Sequence, residues 1–149
     1  MGGTIMMAIT RSASGASAYS RSACPTFSSW DDAIAFSADE RESSGRSWSA
    51  IIDELLRIRR LEDDWDGEGS EAPHPALVDG AITLAQYLRA KGNPPPDRVH
   101  ASVNATIYLE WHTPLGYTEI EVVSPLEAEL RSVRKGSTDT EVLYLTRQS

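Results

Sequence analysis

The amino-acid sequence predicts an α+β domain in which two amphipathic helices pack on one face of a four-stranded antiparallel meander sheet. Two observations lead to this prediction. Between residues 47 and 91, apolar residues recur every three or four positions, as they do along one side of a helix. From Arg98 onward they recur every second position, as in strands that bury one face. Helices followed by consecutive hairpins are typical of two-layer α+β domains.

The first predicted helix covers residues 47–61. Either Ser47 or Ser49 can cap it, because a serine hydroxyl accepts a hydrogen bond from an N–H group of the first turn. Arginines in the last turn suit the negative end of the helix dipole. The buried stripe consists of apolar residues three and four positions apart: Trp48, Ile51, Ile52, Leu55, Ile58 and Leu61.

The second predicted helix begins at Pro73 or Pro75, since proline is tolerated in the first turn of a helix. Gly92 is expected just after its C-cap, and the three prolines at 94–96 prevent the helix from continuing. The residues expected to face the core are Leu77, Ala81, Leu84, Ala85 and Leu88.

Turn residues divide the second half of the sequence into four strands. The breaks are expected at residues 113–116, at Ser124-Pro125 and at residues 136–139, where proline, glycine and small polar residues cluster. The resulting single domain covers residues 47–149. Residues 1–46 are rich in serine and alanine and lack apolar periodicity, so they are predicted to be a flexible leader.

The negative charge of the chain is concentrated in one segment. The formal net charge is −8, and residues 61–88 hold seven acidic residues and no Lys or Arg. Binding to nucleic acids or anionic membranes requires a basic protein face, and the acidic charge of this chain argues against one. Neither is therefore predicted as a partner. A lone cysteine, Cys24, cannot form an internal disulfide, which favours a reducing, cytoplasmic location.

Residues 62–71 form the predicted functional segment, called here the acidic loop. A cluster of one sign creates a field that attracts the opposite charge. Trp65 has two interpretations: a staple that folds onto the first helix, or an aromatic anchor for a partner. Gly67 and Gly69 are expected to supply turns with positive φ. The predicted partner-binding residues are Asp63, Asp64, Trp65, Asp66, Glu68 and Glu71.

The sequence predicts no catalytic residue, no metal ligand and no cofactor. An EF-hand alignment of the acidic loop fails because Pro73 stands where the bidentate glutamate is required. The histidines lack zinc spacing, and no nucleophile or phosphate-loop motif is present. A looser calcium or magnesium site at Asp64, Asp66 and Glu68 stays open. The alternative function is therefore also open: a small carboxylate- or divalent-metal-dependent enzyme that uses the acidic loop.

Tyr108 and Tyr117 lie on the predicted outer face of the sheet, where aromatic rings can stack on nucleic-acid bases. Glutamates share or border that face and would repel a phosphate backbone. We therefore interpret its residues as ordinary solvent-facing strand positions. The glutamates concerned are Glu110, Glu119, Glu121, Glu127 and Glu129.

About half of the chain resembles a widespread set of small bacterial proteins without an established activity. The resemblance is carried by Trp65-Asp66-Gly67-Glu68-Gly69, a following proline, and the strand motif Leu109-Glu110-Trp111. Asn104-Ala105 departs from the pattern, where such proteins tend to carry a second Asp-Gly. The resemblance implies the fold and a bacterial origin, and it brings no catalytic residues.

These observations favour a non-enzymatic, cytoplasmic protein-binding module of the antitoxin, immunity or accessory-subunit type. Its expected partner is a basic protein surface, because acidic side chains steer and hold basic sites. The sequence does not predict an oligomeric state.

Overall fold

The computed structural model describes residues 6–12, 46–137 and 140–148. Within these ranges the chain forms two helices, α1 (Trp48–Ile58) and α2 (Pro75–Ala90), and a six-stranded antiparallel sheet of order β1-β6-β5-β4-β3-β2. The strands are β1 (Met6–Ser12), β2 (Arg98–Ala101), β3 (Ile107–Thr113), β4 (Gly116–Ser124), β5 (Glu127–Arg134) and β6 (Thr140–Gln148).

The α+β class, the two helices and the four-stranded meander β3–β6 are confirmed, and the sheet is wider than predicted by one strand at each edge. β2 pairs with β3, with Val99 opposite Leu109. β1 pairs with β6, from Met6 opposite Gln148 to Ser12 opposite Val142. The flexible-leader prediction is therefore wrong for residues 6–12, while residues 13–45 lie outside the described ranges.

The cap at Ser47 and the glycine after α2 are as predicted, whereas the end of α1 and the N-cap of α2 differ from the prediction. The Ser47 hydroxyl accepts the Ala50 N–H at 3.2 Å, and Gly92 follows the α2 C-cap with φ +81°. α1 ends at Ile58 instead of Leu61, because Arg60 and Leu61 make tighter bonds to carbonyls only three residues back. At the start of α2, the His74 ring accepts the Ala76 N–H at 3.1 Å. Neither helix in the described ranges is long and apolar enough to cross a bilayer.

One cluster of buried side chains joins both helices to alternate positions of β2–β5. Leu109, Ile120 and Leu130 stand opposite one another on neighbouring strands, and all three are fully buried. Ile51, Leu55 and Leu88 belong to the same cluster from the two helices. The intervening strand residues lie on the opposite face of the sheet, which makes that face available for other contacts.

Two tryptophans hydrogen-bond to the backbone of the segment that connects α2 to β2. The indole N–H of Trp48 donates to the Asn93 carbonyl, and that of Trp111 donates to the Pro94 carbonyl, each at 3.0 Å. Prolines 94–96 have no N–H and cannot donate a hydrogen bond to a neighbouring strand. The indoles therefore set where the chain enters β2, and with it the edge of the sheet.

Candidate functional site

The acidic loop connects α1 to α2 and is held closed by its own aspartates. Asp63 Oδ1 accepts the Ala72 N–H at 3.0 Å, and Asp64 Oδ1 accepts the Gly69 N–H at 2.7 Å. Asp66 Oδ1 accepts the N–H groups of Glu68 and Ser70 at 3.0 and 3.2 Å, while its second oxygen accepts the Ser70 hydroxyl. These bonds supply partners for backbone groups that would otherwise rely on water.

The backbone of the loop adopts the turns that these bonds require. Gly67 and Gly69 have φ values of +75° and +87°, which confirms the prediction of positive-φ turns. Asp64 also has positive φ, at +65°. Aspartate tolerates this conformation better than most residues, because its short side chain bonds to nearby backbone groups. Asp64 N–H donates across the neck of the loop to the Ser70 carbonyl at 2.8 Å, which fixes the loop in one shape.

The six predicted partner-binding residues differ in whether their side chains bond to the loop itself or are exposed without a partner in the described ranges. The carboxylates of Asp63, Asp64 and Asp66 build the loop. Glu68 and Glu71 are exposed, as is Glu62, and their side chains make no hydrogen bond or ion pair with any residue in the described ranges. The glutamates are therefore the loop groups that a partner can pair with directly.

Trp65 is half-buried and bridges its own loop. Its indole N–H donates to the Glu71 carbonyl at 3.4 Å. In the described part of the chain, Trp65 is not among the half-buried side chains that pack against the hydrophobic cluster. The bond thus ties together the two arms of the loop, a narrower role than the predicted staple onto the first helix.

The hydrogen bonds of Asp66 lower the pKa of its carboxyl group. The main cause is the Ser70 hydroxyl, followed by the Glu68 N–H, because both stabilise the ionised form. Because the pKa is lowered in the folded state, the ionised carboxylate stabilises the loop fully at pH values above the ordinary pKa of aspartate. The contribution is lost as pH falls through the lowered pKa.

We therefore expect the amide signals of Glu68 and Ser70 to titrate with a midpoint below 3.8, the ordinary value for aspartate. An NMR pH titration measures this directly, and Asp66→Asn should remove the transition. A midpoint at or above 3.8 would contradict the hydrogen bonding described for this loop.

Within the described ranges, no three His, Cys, Asp or Glu side chains stand together in a way that could hold a metal ion. The chemistry of the loop gives a reason. One oxygen of Asp64 and both oxygens of Asp66 already accept hydrogen bonds from the loop itself. A cation at these oxygens would compete with the bonds that close the loop.

A second group of carboxylates lies on the sheet face opposite the core, called here the open face. It is defined by the outward positions of β2–β5 and by Tyr144 of β6. The pairing of the strands places like charges directly opposite each other, with Glu110 facing Glu119 and Glu121 facing Glu129. The polar and aromatic residues of the open face are Arg98, His100, Tyr108, Glu110, His112, Tyr117, Glu119, Glu121, Glu127, Glu129, Arg131 and Tyr144.

Arg131 lies among three of these carboxylates. Its guanidinium contacts Glu119 at 3.0 Å, Glu121 at 2.9 Å and Glu129 at 2.8 Å. Burial opposes the charge of Arg131, but the hydrogen bonds that its guanidinium donates to the carboxylates outweigh burial and raise its pKa. One guanidinium thus holds three glutamates that would otherwise repel one another.

Aromatic side chains complete the network of the open face. Tyr117 donates its hydroxyl to Glu119, and His100 lies 3.0 Å from a Glu110 oxygen while stacking on Tyr108 at 5.4 Å. Burial and the Glu119 carboxylate raise the pKa of Tyr117. The side chains of Glu110, Glu119 and Glu121 are only 13%, 17% and 12% exposed, so the interpretation as ordinary solvent-facing positions is wrong for these three. Glu127 is exposed, as that interpretation predicts.

Comparisons with protein-family models, with curated proteins and with solved structures find no match to this chain. The fold and the two acidic surfaces define it as a small α+β domain with a fixed acidic loop and an aromatic, acidic sheet face. The resemblance to bacterial proteins with a Trp-Asp-Gly-x-Gly loop stays a prediction.

Proposed function

We propose that this protein is a non-enzymatic, cytoplasmic protein-binding module of the antitoxin, immunity or accessory-subunit type. It engages a basic protein surface through the acidic loop. The proposal rests on the different roles of the aspartates and the glutamates within the loop. Asp63, Asp64 and Asp66 fix its backbone, and the exposed glutamates have no partner among the described residues.

A fixed loop is suited to recognition. Six carboxylates between Glu62 and Glu71, with no basic residue among them, repel one another in the free protein. The nearest arginine before the loop that makes an ion pair, Arg59, is paired with Asp79 at 2.9 Å. A basic partner relieves this repulsion, and little conformational entropy is lost on binding because the loop is already ordered.

The enzymatic alternative has no specific observation in its favour. Its carboxylates would be Asp64, Asp66 and Glu68. The first two accept N–H groups of Gly69, Glu68 and Ser70, so they serve the loop's structure. We therefore retain the binding module as the single proposal.

Affinity capture from the source cell, with the protein as bait, tests this proposal. The loop variant Glu62→Gln/Glu68→Gln/Glu71→Gln removes three charges without touching the aspartates that close the loop. Its charge-matched control is Asp53→Asn/Glu54→Gln/Asp79→Asn, which alters helix positions outside the loop: Asp53 and Asp79 are exposed, and Glu54 is half-buried and paired with Arg57. Exposed ion pairs such as Arg59–Asp79 contribute about 0–1 kcal/mol, so the control should fold normally.

Parent and control should retain the same basic protein, and the loop variant should retain at least about tenfold less, a difference of about 1.4 kcal/mol. Equal retention by the loop variant would contradict the proposal. Retention that requires added calcium or magnesium would favour the metal-dependent alternative.

A further inference from the structure

We propose that His100 makes the β2 edge of the sheet sensitive to pH. Its protonated ring holds β2 to β3, and this contact is weakened when rising pH removes one of the two ring protons. The inference concerns the sheet and not the acidic loop, so its outcome does not depend on the proposed function.

Both ring nitrogens of His100 lie beside oxygen atoms that accept hydrogen bonds and have no proton to donate. Nδ1 is 3.1 Å from the Ala101 carbonyl oxygen, and Nε2 is 3.0 Å from Oε1 of Glu110. A neutral imidazole carries one N–H and can donate one of these bonds, whereas an imidazolium donates both. The arrangement therefore matches the protonated ring, and the loss of a proton leaves an acceptor oxygen facing a nitrogen lone pair.

Glu110 is in the ionised form that this arrangement needs. Burial of its side chain, which is 13% exposed, opposes the charge. The hydrogen bond and the charge of His100 act against burial, with smaller contributions from Tyr117 and Arg98, and the pKa of Glu110 is lowered. An ionised carboxylate accepts hydrogen bonds without donating one, so the proton between the two groups belongs to His100.

The position of His100 gives this bond a structural consequence. β2 has four residues and lies at the edge of the sheet, paired with β3. His100 stands opposite Tyr108 and stacks on its ring, while its bond to Glu110 reaches two residues further along β3. Elements at the edge of a fold open locally at a lower free-energy cost than the core does. The loss of one contact to β3 should therefore change how often β2 opens.

Histidines are the side chains around this pair that ordinarily change charge near neutral pH. Arginine keeps its charge, and burial is the main cause that raises the pKa of Tyr108 and Tyr117, so both tyrosines stay protonated. A bond that needs the protonated ring stabilises β2 at low pH, and its contribution falls as pH rises and the ring loses a proton. The charged and titratable groups around the pair in the described ranges are Arg98 of β2, Tyr108 and His112 of β3, and Tyr117, Glu119 and Glu121 of β4.

The test is amide hydrogen exchange of the full chain, followed by NMR from about pH 5 to about pH 8.5, which spans the ordinary titration of histidine. Dividing the intrinsic exchange rate of each amide by its measured rate gives its protection factor at each pH. Long-range proton–nitrogen spectra follow the protonation of the His100 ring under the same conditions. His100→Gln is the test variant, because a glutamine amide can donate to Glu110 at every pH. His112→Gln is the matched control, since the His112 ring is 60% exposed and lies 3.8 Å from an Asp97 oxygen next to β2.

In the parent, the protection of the slowly exchanging β2 amides should fall at least about fivefold across this range, a factor typical of one hydrogen bond. The fall should share its midpoint with the titration of the His100 ring, persist in His112→Gln and disappear in His100→Gln. Protection that is constant with pH in the parent, or that falls equally in His100→Gln, would overturn the inference. A fall that disappears in His112→Gln would also overturn it and would assign the effect to the His112–Asp97 pair.

Discussion

Trp111→Ala is expected to lower the free energy of unfolding by about 3–5 kcal/mol, the usual cost of removing a buried aromatic side chain. Trp111 is 2% exposed, and its indole N–H holds the Pro94 carbonyl at 3.0 Å. The substitution therefore opens a cavity in the core and releases the connection that leads into β2. Urea denaturation followed by circular dichroism measures the loss.

Trp111→Phe separates the two contributions. It keeps most of the ring volume and removes the N–H, so the Pro94 carbonyl loses its partner at a cost of about 1–3 kcal/mol. A loss below about 1 kcal/mol for the alanine variant would contradict the packing described for this residue.

Arg131→Met is expected to destabilise the domain at neutral pH by about 1–3 kcal/mol. The value lies between those for exposed and buried ion pairs, because the Arg131 side chain is a third exposed. Methionine keeps the length of the side chain but leaves Glu119, Glu121 and Glu129 without their shared cation. Their mutual repulsion should then dominate the effect.

Removing charge from the carboxylates identifies the cause. In Glu121→Gln/Glu129→Gln/Arg131→Met most of the repulsion is absent, so this triple variant should be more stable than Arg131→Met alone. Urea denaturation at neutral pH measures both variants. A triple variant no more stable than Arg131→Met would show that lost packing, not charge, is responsible.

The part of the fold that follows from local periodicity could be predicted from the sequence. The stripes of α1 and α2 and the alternation in β3–β5 are set by residues close together in the chain. β2 has four residues and follows three prolines, so it offers too little alternation to recognise. β1 carries the apolar run Met6-Met7-Ala8-Ile9, and only its pairing with β6 identifies it as a strand.

Gly80 shows why some residues need the tertiary structure to explain them. In a helix interior glycine lowers stability relative to alanine. In α2, however, a Cβ at Gly80 would stand 2.5 Å from the Pro125 carbonyl oxygen, closer than real contacts allow. The turn between β4 and β5 is far away in sequence, so no local pattern reveals this close approach.

The candidate surfaces were predicted unequally, for related reasons. The charge of the acidic loop is visible in the sequence, but the use of Asp63, Asp64 and Asp66 as acceptors for their own backbone depends on the loop's shape. The glutamates of the open face are also visible. Their placement opposite one another, and around Arg131, depends on strand register. Alternating glutamates on neighbouring predicted strands were the available signal.

We propose that the charge of the acidic loop attracts a basic partner. The most direct test is the association rate with the captured partner, measured by stopped flow at about 0.05 M and about 0.5 M salt, which span strong and weak screening. The parent and the Asp53→Asn/Glu54→Gln/Asp79→Asn control should each associate at least about tenfold more slowly at high salt than at low salt. Glu62→Gln/Glu68→Gln/Glu71→Gln should be slower at low salt and less dependent on salt. Rates for parent and loop variant that are equal and independent of salt would contradict the claim.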